Sequence, residues 1–170
     1  GGLPLLADGL RTADADNPRG YFEYEPVKRM AAGVDWMSTA RGRGVKIVAP
    51  LVRYLSPDEK YRIILVDRDL DEVLDSQQRM LERSGLTPSE SSLRRGRLRN
   101  EFSRQLSALA VLLSRWSTVR VLSVNYEAVV RNPYLAAQRI NGFVGGALEV
   151  EAMAAVVDAT LHRNRPTASL

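Results

Sequence analysis

In the stretch "LVDRDLDEVLDS", Arg68 stands directly before an acidic run and Ser76 follows it by eight residues. Eight residues span about two helical turns, so a helix starting near Asp69 brings Asp69, Val73, Ser76 and Met80 to one side. A guanidinium reaching over the start of that helix can meet an anion that the hydroxyl also touches. A phosphate needs such a set: a fork of donors for two oxygens and a hydroxyl for a third. The same residues admit a plainer arrangement, in which Arg68 pairs with Asp69, Asp71 or Glu72 and Ser76 is merely small.

Other chemistry is excluded by composition. The chain has no cysteine and one histidine, His162, which removes disulfide scaffolds, thiolate metal sites and multi-histidine centres. No metal is expected. The lack of cysteine suits a reducing compartment, and a cytoplasmic location is expected. No apolar run is long enough to span a membrane and no signal peptide is visible. Arginine far outnumbers lysine, and the formal net charge is +4. Arg94, Arg95, Arg97, Arg99 and Arg104 crowd one segment, which suits either a solvated helix face or a polyanion. Trp36 and Tyr54 are candidates for an acceptor pocket or for the core.

The elements that must position Arg68 follow from the hydrophobic pattern. "RIILVD" and "VRVLSV" are short apolar runs that read as strands, as does Val45 to Ala49, stopped by Pro50. "GGLPLLADG" reads as a turn, a short strand and a turn. Short helices are expected near Pro26 and Asp35. Long ones are expected over Asp69–Ser84, where Asp69 and Glu72 make a capping pattern, and over Ser91–Trp116, where apolar residues from Leu98 to Trp116 follow one another in steps of four or three. Further helices are expected from Tyr126, over Pro133–Phe143 and over Glu149–Val157. Strands without polar alternation are buried on both faces, and strands separated by helices imply a parallel sheet. The expected fold is α/β, a three-layer α/β/α single domain over residues 1–170 with a parallel sheet. Ligands of such sheets bind beyond the carboxyl ends of the strands, where Arg68 stands.

The segment "LVDRDLDEVLDS" resembles that of the sulfotransferases, in which a strand ends in Arg, a helix follows, and a Ser comes eight residues after the Arg. "VNYEAVVRNPYLAAQRINGFVG" resembles the family's late strand, Tyr-Glu turn, Asn/Asp-Pro helix start and Phe-Leu-Gly ending, with Val144 in place of the Leu. "NPRGYFEYEPV" is similar to the segment after the second strand in bacterial members, and "LHRNRP" to their basic carboxyl-terminal segment. The resemblance implies a P-loop NTPase-like fold and transfer of a sulfuryl group from PAPS (3′-phosphoadenosine 5′-phosphosulfate) to a hydroxyl or amine of a small-molecule or glycan acceptor. It implies that Arg68 and Ser76 bind the 3′-phosphate and that Arg163 and Arg165 close over it. Lys46 fits the family's strand lysine, which neutralises charge on the bridging oxygen of the leaving nucleotide. Val48 occupies the position of the family's histidine base, so Glu23 or Glu25 is left as proton acceptor, with Glu23 preferred.

The family's opening strand and phosphosulfate loop have no counterpart here: "GG", "GRG" and "VGG" lack the spacing and the following Lys, Ser or Thr. That loop would fall just before Gly1, and the chain is expected to be a fragment lacking it, inactive alone. Competing functions are a small P-loop kinase, a non-catalytic nucleotide-binding domain, and a polyanion-binding domain acting through the arginine-rich segment. Nucleic acid is not expected as a partner.

Overall fold

One or more helices stand between successive strands, and every strand pairing among the described residues is parallel. In the computed structural model the backbone is described for residues 1–14, 17–83 and 91–161, and the side chains of these except 80–83 and 91–94. The result is a mixed α/β protein with short parallel sheets, about half helical. The strands are β1 (Leu5–Leu6), β2 (Gly44–Val45), β3 (Tyr61–Asp67) and β4 (Val119–Asn125). The α-helices are α1 (Leu70–Arg83), α2 (Ser91–Ser114), α3 (Tyr126–Arg131), α4 (Pro133–Val144) and α5 (Val150–Ala155). Two compact units result. One comprises Gly2–Lys60 with Gln105–Thr118; the other comprises Tyr61–Arg104 and the chain from Val119 onward, with Gly1.

In the first unit β1 and β2 pair over only two residues each, Leu5 with Gly44 and Leu6 with Val45. The expected strand Val45–Ala49 therefore ends at Val45, and the chain turns into a 3-10 helix over Ala49–Tyr54. Pro50 at the first turn explains the switch, because its fixed φ suits a helix start and it lacks an N–H for a ladder. The expected short helices appear as 3-10 helices, Glu25–Arg29 and Asp35–Ala40. Tyr21, Val27, Met30, Ala40, Val52 and Leu55 are buried here, as are Leu109 and Leu113, one turn apart on α2.

The second unit is built on β3 and β4, which pair in register from Tyr61 with Val119 to Asp67 with Asn125. The expected single parallel sheet is instead two separate pairs among the described residues. Burial on both faces also fails: Ile64 and Val66 of β3 and Val121 of β4 are exposed, and among the described residues no third strand joins this pair. The helix boundaries follow the capping residues. Asp69 accepts from the N–H groups of Asp71 (2.8 Å) and Glu72 (3.1 Å) and starts α1. Asn125 accepts from Ala128 N–H at 2.9 Å, and Asn132 from Leu135 N–H at 3.1 Å, starting α3 and α4. Gly145, with φ +129°, ends α4 by donating to the Asn141 carbonyl. Leu74, Val124 and Ala137 are the buried apolar residues among those described in this unit. No described helix is long and apolar enough to cross a membrane.

Candidate functional site

Each parallel pair carries a cluster of charged side chains beyond its carboxyl end. At the β3–β4 end stands Arg68. Its Nε donates to Glu72 Oε2 at 3.0 Å, and its Cζ lies 4.5 Å from the centre of the Tyr126 ring. Register explains the meeting: Asp67 pairs with Asn125, so the next residues, Arg68 and Tyr126, leave the sheet side by side. Arg68 is thus flanked by a carboxylate one turn along and an aromatic ring from the neighbouring strand end. Both contacts favour the cation. The Glu72 carboxyl side chain is only 6% exposed, so this ion pair is screened far less than a surface one. Ser76 is exposed on α1, one turn beyond Glu72. Glu72 lies between Arg68 and Ser76 in the helical succession and holds the guanidinium through its Nε. The pairing of Arg68 with Glu72 is one of the plainer arrangements open in the sequence; the stacking on Tyr126 carried no local signal there.

At the β1–β2 end a single loop joins the two strand termini. Asp8, just past β1, donates its N–H to the Glu23 carbonyl at 3.1 Å. Lys46, just past β2, donates from Nζ to the Tyr21 carbonyl at 3.0 Å. Lys46 and Glu23 are thereby brought to the same three-residue stretch, Tyr21–Phe22–Glu23. The stretch is anchored from below as well. Asn17 to Gly20 form a turn with Pro18 at its second position, closed by Gly20 N–H to Asn17 O at 2.9 Å, and Gly20 supplies the positive φ of +86°. The Tyr21 hydroxyl donates to Asp14 Oδ2 at 2.6 Å. Phe22 itself has φ +50°, a left-handed conformation that costs a residue with a Cβ roughly 1–2 kcal/mol.

Electrostatics at this end are dense. Glu23 is held by Arg11 at 3.0 Å and by Lys28 at 3.4 Å, while Lys28 also meets Glu25 at 2.9 Å. Burial pushes the Glu23 carboxyl up, but hydrogen bonds from Lys28 and Arg11, with their charges, outweigh it and hold the group below its usual range. That setting keeps Glu23 ionised and makes it a weaker base than a free carboxylate. Hydrogen bonds from the backbone N–H groups of Glu25 and Leu10 hold the Asp8 carboxyl low. Hydrogen bonds to Glu25 and Glu23 raise Lys28. Arg11, Lys28 and Asp8 were not singled out from sequence. Of these only Lys28, three residues after Glu25, had a local signal.

Around Trp36, in the same unit, Glu25, Pro26, Arg29, Ala32, Gly33 and Asp35 line an open hollow of about 370 Å³. The Trp36 ring meets Tyr24 edge-on at 5.4 Å, so this tryptophan both packs and lines a cavity. Tyr54 lies under Arg53, with Cζ at 4.9 Å. In the arginine-rich segment, Arg95 binds Asp75 and, at 3.2 Å, Asp71, while Arg99 reaches Asp71 at 3.4 Å and Arg104 reaches Glu101 at 2.8 Å. The hydrogen bond to Asp75 leads the causes that raise Arg95. These arginines tie α2 to α1 or to α2 itself. His162, Arg163 and Arg165 lie outside the described residues, as does the side chain of Arg94. No family model, curated protein or solved structure matches the chain.

Proposed function

We propose that the protein is a sulfotransferase-like protein of P-loop NTPase-like fold, in which a sulfuryl group passes from PAPS to an acceptor hydroxyl or amine. One observation carries this reading. The two segments that most resemble the family, around Arg68 and around Tyr126, lie far apart in sequence yet meet at the carboxyl ends of adjacent parallel strands. That is where parallel α/β sheets take ligands. Arg68 and Ser76 are assigned to the donor's 3′-phosphate. Lys46 is assigned to the bridging oxygen of the leaving nucleotide and Glu23 to the acceptor's proton. Their attachment to one loop at the β1–β2 end supports this. In the reaction the acceptor oxygen or nitrogen bonds to sulfur, and the bond from sulfur to the bridging phosphate oxygen breaks. That electron pair leaves with adenosine 3′,5′-bisphosphate, and the acceptor proton passes to a carboxylate. The work is mostly positioning and charge neutralisation. The polyanion alternative is weakened, since Arg95, Arg99 and Arg104 are already engaged by carboxylates.

Calorimetric titration with adenosine 3′,5′-bisphosphate and adenosine 5′-phosphate tests the donor half. Arg68→Ala removes a charge-assisted contact, so affinity for the bisphosphate should fall by roughly one to two orders of magnitude. Ser76→Ala should cost less, and both losses should shrink for the 5′-phosphate. Glu72→Gln should tighten bisphosphate binding, because it removes a negative charge 3.0 Å from the Arg68 guanidinium. Equal losses for both nucleotides, or a Glu72→Gln protein that binds the bisphosphate more weakly, would sink the assignment.

A further inference from the structure

Arg62, the second residue of β3, pairs in register with Arg120 of β4, so two arginine side chains leave the same face of neighbouring strands. Both reach the end of α4. Arg62 Nη1 donates to the Val144 carbonyl, and Arg120 Cζ lies 5.7 Å from the centre of the Phe143 ring. Arg139 stands one turn before Phe143 on the same side of α4. All three arginines are exposed, and none meets a carboxylate among the described residues. Elsewhere in this unit carboxylates hold Arg68, Arg95, Arg99, Arg104 and Arg131. Like charges side by side on neighbouring strands repel. The last carbonyls of a helix lack helical partners, and Arg62 supplies a donor to one of them. Capping therefore accounts for one cation and not for the second beside it. The cluster is also remote from Arg68, which lies six residues further along the strand, about 20 Å.

We propose that Arg62 and Arg120 form a second anion site, at the amino end of the β3–β4 pair, for the dianionic end of a phosphate monoester, with Arg139 at its rim. A doubly charged tetrahedral oxyanion offsets both cations at once, and each guanidinium fork spans two of its oxygens. Arg62 gives one of its five N–H donors to Val144 and keeps the others for the ligand. The test uses the 170-residue chain carrying Arg68→Ala, which removes the guanidinium of the proposed donor site, in an NMR titration at constant ionic strength. The probes are methyl phosphate, a dianion at about pH 8, and dimethyl phosphate, which carries one charge. The amide signals of Val121, Val144 and Gly145 should shift saturably with methyl phosphate, and dimethyl phosphate should bind about tenfold more weakly. Arg62→Gln also removes a cap of α4, so Arg120→Gln, which leaves the bond to Val144 in place, is the deciding variant. It should weaken methyl phosphate by about tenfold or more, and Arg139→Gln by about two- to threefold. Arg97→Gln, which neutralises an exposed arginine of α2, should change nothing. The proposal falls if those amides show no saturable shift, or if the two probes bind equally, as they would at a site for a lipid or nucleic-acid phosphodiester. It falls as well if Arg120→Gln binds methyl phosphate unchanged, or if Arg97→Gln weakens it to the same degree.

Discussion

The two parallel pairs solve one problem in different ways. Each must hold a cation and a carboxylate beyond the ends of its strands. The β3–β4 pair does so with a long register, in which seven residues of each strand match, and its helices start at their own capping side chains. Its cation, Arg68, needs only one carboxylate and one ring. The β1–β2 pair has two residues per strand and cannot fix a loop by register. It uses hydrogen bonds and ion pairs from Asp8, Arg11, Lys28 and Lys46 instead. A site supported by backbone pairing should tolerate loss of a charge; a site supported by charges should not. The difference also concerns strain. The charged framework is the one that carries the left-handed Phe22, consistent with strain persisting only where several bonds over-determine a loop.

The largest effect should come from the apolar support of the β3–β4 end. Leu74 is 4% exposed and sits on α1 between Arg68 and Ser76 in turn order. Leu74→Ala should destabilise by about 2–5 kcal/mol, the usual range for a buried leucine. Urea denaturation would measure it. A loss below about 0.5 kcal/mol would show that α1 is not anchored by burial, and the contrast between the two ends would fail.

A smaller effect is expected from the cap. Asp69 satisfies two N–H groups at the start of α1, so Asp69→Ala should cost about 1 kcal/mol, within roughly 0.5–2. Asp69→Asn should cost less, since the amide oxygen can accept the same bonds. If Asp69→Asn cost as much as Asp69→Ala, the support would be the negative charge at the helix start rather than the hydrogen bonds, and the β3–β4 end would resemble the β1–β2 end.

Much of the β3–β4 end was legible in the sequence. "RIILVD" and "VRVLSV" are apolar runs of strand length, and Asp69, Asn125 and Asn132 are local start signals whose action needs only a few residues of context. The partner of Arg68 was legible in part, because Glu72 lies one turn away on the same helix. Tyr126 was not, since its approach depends on which strands are neighbours. The single sheet and burial on both faces were misread for the same reason: a run of apolar residues states that a strand forms, not what it pairs with or what covers it. At the β1–β2 end little was legible. "VKIVAP" has the composition of a strand, yet β1 offers only Leu5 and Leu6 to pair with, and Pro50 draws the rest into a 3-10 helix. Arg11 and Glu23 lie twelve residues apart with a loop between, and no periodicity connects them. Lys46 and Glu23 were read from a resemblance. Their common loop emerged only from the bond of Lys46 to Tyr21.

The finest comparison is a titration. At the β1–β2 end the Asp8 carboxylate accepts from Glu25 N–H at 2.5 Å and from Leu10 N–H at 3.0 Å. Those bonds depress its folded pKa, so the stability it contributes is present above its unfolded pKa, about 4, and is lost as pH falls through the lower folded value. Glu23, also depressed, acts in the same direction, whereas Lys28, raised, contributes below its unfolded pKa and loses its contribution only as alkali takes the pH through its folded value. At the β3–β4 end the bonds from Ala128 and Leu135 N–H run to the amides of Asn125 and Asn132, which do not titrate. Those two caps should therefore stay in place while acid removes the Asp8 bonds. In NMR spectra recorded from about pH 6 downward, the amide protons of Glu25 and Leu10 should shift with a midpoint below about 4, while those of Ala128 and Leu135 stay in place. Asp8→Asn should remove the shifts of Glu25 and Leu10 and leave the other two unchanged. Movement of Ala128 and Leu135 with the same midpoint would mean that the two ends respond as one, and the separation between charge-held and register-held support would have to be given up.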